Sequence, residues 1–252
     1  MAGSRLLTRL LSVGSILLLW AAIASLFPPT LLPGPLVVGQ RLGALVVEGE
    51  FWVHLRATIT RVLAGFVMAF VVSVAAGILM GSRRRVEALF EPYVLVGLTI
   101  PGLCWAVLAV MWFGITEAAP VFAIFVVVLP MLTLNMWQGT KNLDRDLVEM
   151  AHVFRAPRGV LLRDVVLPQL LPFCLAAGRF GFALGWKVVV LSEMFGLSSG
   201  VGYMINRAFS AYSMDDVLAW TAGFTLVMFA VEYAVFLPIE RRLVHWRPVV
   251  TL

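Results

Sequence analysis

The chain has 252 residues, of which 61% are hydrophobic and only 13% charged, with a formal net charge of +5 and a mean hydropathy of +0.97. A water-soluble domain is about a quarter charged, so this composition excludes a soluble globular protein and makes lipid the main solvent. The basic surplus is then to be read by side of the membrane, not as a nucleic-acid surface.

Six apolar runs are each roughly 17–25 residues long, enough to cross a ~30 Å hydrocarbon layer as helices. The first covers about Leu10–Phe27 and ends at "FPPTLLPGP", where prolines remove backbone donors. An alternative reading of the N-terminus is a cleaved signal peptide, with Arg5 and Arg9 ahead of the apolar core and "AIA" as the cleavage site. A segment poor in charge, Pro28–His54, follows; it is expected at the interface or packed on neighbouring helices. The second run is about Ala57–Met80, interrupted only by Arg61. The third is about Tyr93–Phe113 and the fourth about Ala118–Trp137. A charged, proline-bounded stretch, "DLVEMAHVFRAPRGVLLRDVVLPQLLP", comes next. The fifth run is about Leu170–Phe195 and the sixth about Val217–Leu237. The runs lack the period-2 alternation of a membrane barrel. Cys104 and Cys174 both lie in apolar runs, which argues for packed thiols and against a disulfide framework or a metal site.

Lys and Arg divide unevenly between the two sides. Thirteen fall on the side that holds the charged stretch; Arg41, Arg56, Arg61 and Arg207 fall on the other; Arg179 and Lys187 remain inside the fifth run. The bias places both termini and the charged stretch in the cytoplasm. Small residues recur every four positions in the second run, at Gly65, Ala69, Ser73, Gly77 and Gly81, and the fifth carries a similar stripe at Gly178, Gly181 and Gly185. Such stripes allow close helix approach.

The charged stretch reads as a helical hairpin. Asp144 or Asp146 caps a helix running to about Arg155. "APRG" turns the chain, and Pro157 opens a second short helix, Arg158–Leu167, that stops at Pro168. Val148, Ala151 and Phe154 or Arg155 share one side, with Glu149 beside it.

Ionisable groups at bilayer depth need partners or water. Arg179 lies ~16 Å above Pro168 and Glu232 ~12 Å above Glu240 by helix rise, so the two are expected to pair. Arg61 and Glu193 sit near the outer ends of their runs and form a second expected pair. Lys187, beside Trp186, is a cation placed to attract an anionic substrate. Cys104, Trp105, Trp186, Lys187 and Glu193 are the candidate lining of a route. No H-E-x-x-H, no paired intramembrane aspartates and no G-x-x-x-x-G-K-[ST] occur, so neither an intramembrane enzyme nor an ATP site of the chain's own is expected. A secondary transporter remains the alternative. Such folds often show internal repeats and broken helices, and neither is visible in the sequence.

"EMAHVFRAPRGVLLRDVVLPQLLP" resembles the Glu-Ala-Ala loop of permease subunits of ATP-binding-cassette importers. Glu149, Ala151 and the Leu167–Pro168 ending match that pattern; Met150 replaces an Ala, and Arg155 stands where the family usually has Gly. "TIPGLCWAVLAVMWFGI", "AAGRFGFALGWKVVVLSEMFGLSSGVGYMI" and "IERRLVHWRP" are similar to the nitrate/sulfonate/taurine-type branch. The resemblance implies an all-α membrane protein with six transmembrane helices and a cytoplasmic coupling-helix hairpin, arranged like a type I importer. It implies one permease domain over 1–252, with the coupling loop at 143–168. Glu149, Ala151, Phe154, Arg155 and Ala156 would then meet an ATPase. The implied partners are two ATPase subunits that bind the ATP, a second permease copy, an extracytoplasmic substrate-binding protein and the bilayer of a bacterial inner membrane, with no nucleic acid, metal or cofactor of the chain's own. The implied cargo is a small anion such as nitrate, a sulfonate, taurine or bicarbonate; a neutral or cationic metabolite such as a vitamin precursor is the alternative.

Overall fold

The computed structural model describes residues 2–243, and among them the chain is helical without a strand. α1 spans Ala2–Ala24 and ends ahead of Pro28 and Pro29. α2 spans Pro35–Glu48, with Pro35 at its first position, where a missing N–H costs nothing. The segment expected at the interface or packed on neighbours thus holds a helix of its own. It buries Val38 and Leu45 and packs on α11 (Met214–Val231). Gly49, at φ +86°, ends α2 and begins α3 (Glu50–Ser82) in a single left-handed corner.

The third apolar run is not one helix. α4 covers Arg84–Thr99 and α5 covers Gly102–Phe113, and the two are bent by 96°. Pro101 removes the donor at the corner and pushes Ile100 to extended backbone. A broken span is therefore present where the sequence reading found none.

α6 (Ala118–Lys141) is the centre of the molecule, and α3 and α9 (Leu167–Gly196) both pack on it and touch each other. The small-residue stripes explain how closely. A Cβ added at Gly65 would stand 2.7 Å from Ile124 Cβ, at Gly77 2.4 Å from Met136 Cβ, and at Gly81 2.4 Å from Thr140 Cβ. Gly181 and Gly185 of α9 meet Leu132, Val128 and Ile124. Gly178 is looser, with Phe70 at 3.5 Å.

α7 (Arg145–Val153) and α8 (Arg158–Val160) form the hairpin. The second arm does not stop at Pro168. It passes through a π-helical stretch, Leu161–Val166, directly into α9, so Arg158–Gly196 is one helical rod of 39 residues. Pro168 cannot donate to the Asp164 carbonyl, and its ring crowds that group; widening the turn to π geometry makes room without ending the helix. The same device recurs ahead of Pro238, where Glu232–Phe236 is π-helical between α11 and α12 (Leu237–Leu243). α10 (Val201–Ser210) connects α9 to α11.

Four helical runs are long and apolar enough to cross a membrane: α3, α6, the Arg158–Gly196 rod and Met214–Leu243. The bent α4–α5 pair makes a fifth. Within α1, Leu11–Ala24 is a further, shorter apolar stretch. Of the six expected spans, four meet this measure among the described residues, or five with the bent pair. α1 and α4 also leave large apolar side chains such as Leu11, Leu18, Leu89 and Tyr93 well exposed, as lipid-facing helices do.

Candidate functional site

The ends of α3, α6 and α9 that lie away from the hairpin are joined by one polar network around Arg61. Its Nη1 donates to Glu193 Oε1 at 2.7 Å and to the Ser199 carbonyl at 2.8 Å. Its Nη2 donates to Glu117 Oε1 at 2.6 Å and Ser199 Oγ at 2.7 Å, and its Nε to Glu117 Oε2 at 2.6 Å. All five guanidinium N–H groups therefore have acceptors. Glu193 is fully buried. It also accepts from Thr58 Oγ1 at 2.9 and 3.0 Å and from the Gly202 N–H at 2.9 Å. Thr58 in turn accepts from the Val201 N–H, and His54 Nδ1 accepts from the Gly200 N–H at 3.1 Å.

Two glycines make this fit. At Gly200, φ is +111° and a Cβ would stand 2.2 Å from Glu193 Cδ; at Gly202 a Cβ would stand 2.3 Å from the Val190 carbonyl oxygen. Only a bare backbone lets the α9–α10 turn close over the carboxylate. Glu117, just before α6, is the exposed member at 72%. The hydrogen bonds from Arg61 hold its carboxyl below the ordinary range.

The expected contact of Arg179 with Glu232 is present, and Arg179 Nη1 also reaches Glu240 Oε2 at 3.2 Å. One cation thus serves two carboxylates across the π-helical stretch of the last span.

The five residues expected along a route are divided. Cys104 is exposed, Trp105 is half-buried and Lys187 is exposed. Trp186 and Glu193 face the interior of the chain. Trp186 stacks on Phe224 with ring centroids 4.3 Å apart and lies against Phe182; Glu193 is held by Arg61. Neither side chain meets open space in this structure. The indole N–H groups of Trp105 and Trp186 are buried and have no hydrogen-bond partner.

In the hairpin, Asp144 caps α7 by accepting from the N–H groups of Asp146 and Leu147. α7 ends in a Schellman motif: Arg155 N–H bonds to the His152 carbonyl, and Ala156 N–H to the Ala151 carbonyl. Arg155 is the left-handed residue, at φ +51°. The position where the resembled family has Gly is thus the one position of the turn that favours Gly. Ala151 is buried inside the hairpin and Ala156 is half-buried. The shared side expected for Val148, Ala151 and Phe154 is therefore not one open surface. The exposed surface is formed by Glu149, Met150, Val153, Phe154 and Arg155.

Glu117, Ser199, Thr58, His54 and Glu240 were not singled out from the sequence. Glu117 and Ser199 lie in short connections, where sequence spacing carries no helix register. The ion pairs Arg41–Asp216, Lys141–Glu87 and Arg207–Glu50 join residues far apart in the chain, and no local pattern announces them.

The family model for "Binding-protein-dependent transport system inner membrane component" matches residues 73–239. The chain is 28% identical to the taurine transport system permease protein of Escherichia coli (strain K12) over 246 residues, covering 94% of this chain and 89% of that one. It is 30% identical to a putative aliphatic sulfonates transport permease protein of Bacillus subtilis (strain 168), covering 92% and 84%. In fold it is similar to the MetNI methionine ABC transporter in inward-facing conformations, with a TM-score of 0.66 at 15% identity, over 74% of this chain and 93% of that one.

Proposed function

The chain belongs to the family of binding-protein-dependent transport system inner membrane components, and from that premise we propose that it carries a small anion inward, driven through α7 by a separate ATPase. The family is one of transport permeases, not enzymes. The observation that carries the coupling reading is the build of α7. A short helix fixed at both ends by side-chain and backbone caps, with Met150, Val153 and Phe154 bare beside Glu149, is a rigid apolar foot with one carboxylate. A foot of this kind transmits displacement where a loose loop would dissipate it. The apolar residues would seat in a groove of the ATPase and Glu149 would meet a cation there. Ala151, turned inward, would brace the foot, and the left-handed Arg155 with Ala156 would set its angle.

The anion reading is supported by the relatives, whose names specify taurine and aliphatic sulfonates, and by Lys187, an exposed cation within a spanning helix. Cys104, Trp105 and Lys187 would face the route, with Lys187 the group that attracts the anion. The assembly would comprise two copies of this chain, two ATPase subunits and an extracytoplasmic binding protein in a bacterial inner membrane. Both termini and α7 would lie on the cytoplasmic side.

The test is ATP-driven uptake of labelled taurine and an alkanesulfonate into liposomes holding the whole assembly. Glu149→Ala and Phe154→Ser should each lower uptake at least about tenfold, the scale of a lost charged or anchor contact, with the permease still folded. Lys187→Met should lower uptake of the anion while ATP binding stays intact. Transport by this chain alone on an ion gradient would overturn the reading.

A further inference from the structure

Two cavities lie end to end along α3, α4 and α6. The first, about 890 Å³, is a polar cleft between the start of α4, the ends of α3 and α6, and α7; Arg84, Glu87, Lys141, Arg145 and Glu149 line it. The second, about 220 Å³, is an apolar groove walled by Ala76 and Met80 of α3, Phe90 and Val94 of α4, and Pro130 of α6 among others.

The cavities share one surface. On α4, Arg84, Glu87, Phe90 and Val94 follow at three- and four-residue spacing, so a single helix face runs from cleft to groove. On α3 the change falls between Met80, in the groove, and Gly81, in the cleft. Met80, Val94 and Trp137 pack together at the junction. Trp137 is 7% exposed and its indole N–H has no hydrogen-bond partner.

The charges are unevenly committed. Lys141 is paired with Glu87. Among the described residues no ion pair involves Arg84, Arg145 or Glu149. The cleft therefore holds three cations and two acids, with two guanidinium groups free on different helices. The first turn of α4 has no side-chain cap, so its backbone N–H groups add positive potential. The cleft stands where α3 and α6 end, at Ser82 and Lys141, which is headgroup depth for helices of this kind. The groove lies one to two turns deeper along the same helices, among hydrocarbon.

We propose that this composite site holds one anionic glycerophospholipid, with its phosphate between Arg84 and Arg145 and an acyl chain in the groove between α3 and α4. Charge complementarity accounts for the cleft and the apolar lining for the groove, in the order that a lipid presents them. A soluble phosphate would use the cleft alone. An acidic segment of a partner protein would also stop at the cleft, since the groove lies within the bilayer. The headgroup would bridge α4 to α7 and so tie the hairpin to the membrane surface. The inference rests on the reading of the chain as a membrane permease, but not on which side α7 faces.

The experiment is native mass spectrometry of the full chain in neutral detergent, titrated with phosphatidylglycerol and phosphatidylcholine of identical chains, which requires no transport and no orientation. Phosphatidylglycerol should bind about tenfold more tightly, the scale of one to two basic contacts at a headgroup. Arg84→Gln with Arg145→Gln should abolish the preference, and Arg84→Lys with Arg145→Lys should keep most of it. Ala76→Phe should weaken both lipids by filling the groove. Arg158→Gln with Arg163→Gln, on the hairpin but outside the cleft, should leave the preference unchanged. Equal binding of the two lipids would overturn the proposal. So would survival of the preference in the Gln pair, its equal loss in the Arg158/Arg163 pair, or full displacement of phosphatidylglycerol by inorganic phosphate.

Discussion

Arg61 and Glu193 form an ion pair in which neither side chain meets solvent, at 2% and 0% exposure. Removing Arg61 strands the buried Glu193 carboxylate in a medium that cannot solvate it, and Arg61→Ala is expected to lower stability by about 3–5 kcal/mol. Glu193→Ala should cost less, because Arg61 keeps Glu117 and Ser199, but it leaves a cavity and the Gly202 N–H without its acceptor. Glu193→Gln should cost less still, because the amide oxygen still accepts from Thr58 or Gly202 and Arg61 keeps Glu117. Thermal unfolding of the detergent-solubilised protein checks the order.

Glu117 supplies the pH-dependent part of that network. Its folded value lies below the ordinary 4.5. It therefore contributes stability above about pH 4.5, and that contribution is lost as the pH falls through the depressed value. The side chain is largely exposed, so the effect is small. Melting temperatures of wild type and Glu117→Gln should converge at low pH and separate above it.

Arg155 holds a left-handed conformation that costs a side-chain-bearing residue about 1–2 kcal/mol. Arg155→Gly should stabilise the hairpin by about 1 kcal/mol, and Arg155→Val should destabilise it. Hydrogen exchange at the Ala156 amide, which bonds to Ala151, reads the effect locally.

Gly77 and Gly178 belong to two similar stripes but should respond oppositely. A methyl at Gly77 meets Met136 Cβ at 2.4 Å and the Trp137 backbone nitrogen at 2.9 Å. Gly77→Ala must push α3 from α6, at about 1–3 kcal/mol. At Gly178 the nearest atom is 3.5 Å away, and Gly178→Ala should be neutral or stabilising by up to about 1 kcal/mol through helix propensity. Paired melts decide it.

Arg179 has two acceptors, so loss of Glu232 alone leaves it Glu240. Glu232→Gln should be mild, and Glu232→Gln with Glu240→Gln clearly worse than the sum of the two single changes. A double-mutant cycle on unfolding measures the excess.

Much of this arrangement was legible in residue order. Hydropathy located the long helices. Helix rise brought Arg179 level with Glu232, and the small-residue stripes marked the faces by which α3 and α9 pack, Gly65, Gly77, Gly81, Gly181 and Gly185 against α6 and Gly178 against α3. The losses have physical causes. The 96° corner at Pro101 was hidden because both halves are equally apolar and hydropathy carries no direction. Pro168 was read as a stop because a proline normally ends a helix; the π turn that absorbs it depends on a local widening with no residue signature of its own. Trp186 looked like lining because a ring with a polar atom in a span suggests a route, and only packing shows that Phe224 already covers it; Glu193 was expected both as lining and as the partner of Arg61, and the pairing is what the structure holds. Glu117 escaped because a connecting loop has no periodicity from which to infer a neighbour.

The absence of a joint at Pro168 changes how the molecule is geared. From Arg158 to Gly196 the helix is a single shaft of 39 residues, roughly 58 Å at the usual rise. Its lower end is set against the foot by a tight hydrogen-bonded turn, and its upper end is bolted by Glu193 to Arg61. Under the proposed coupling, a nudge at the foot would not need to be relayed from helix to helix; it would arrive at the far end of the shaft as a tilt of one lever.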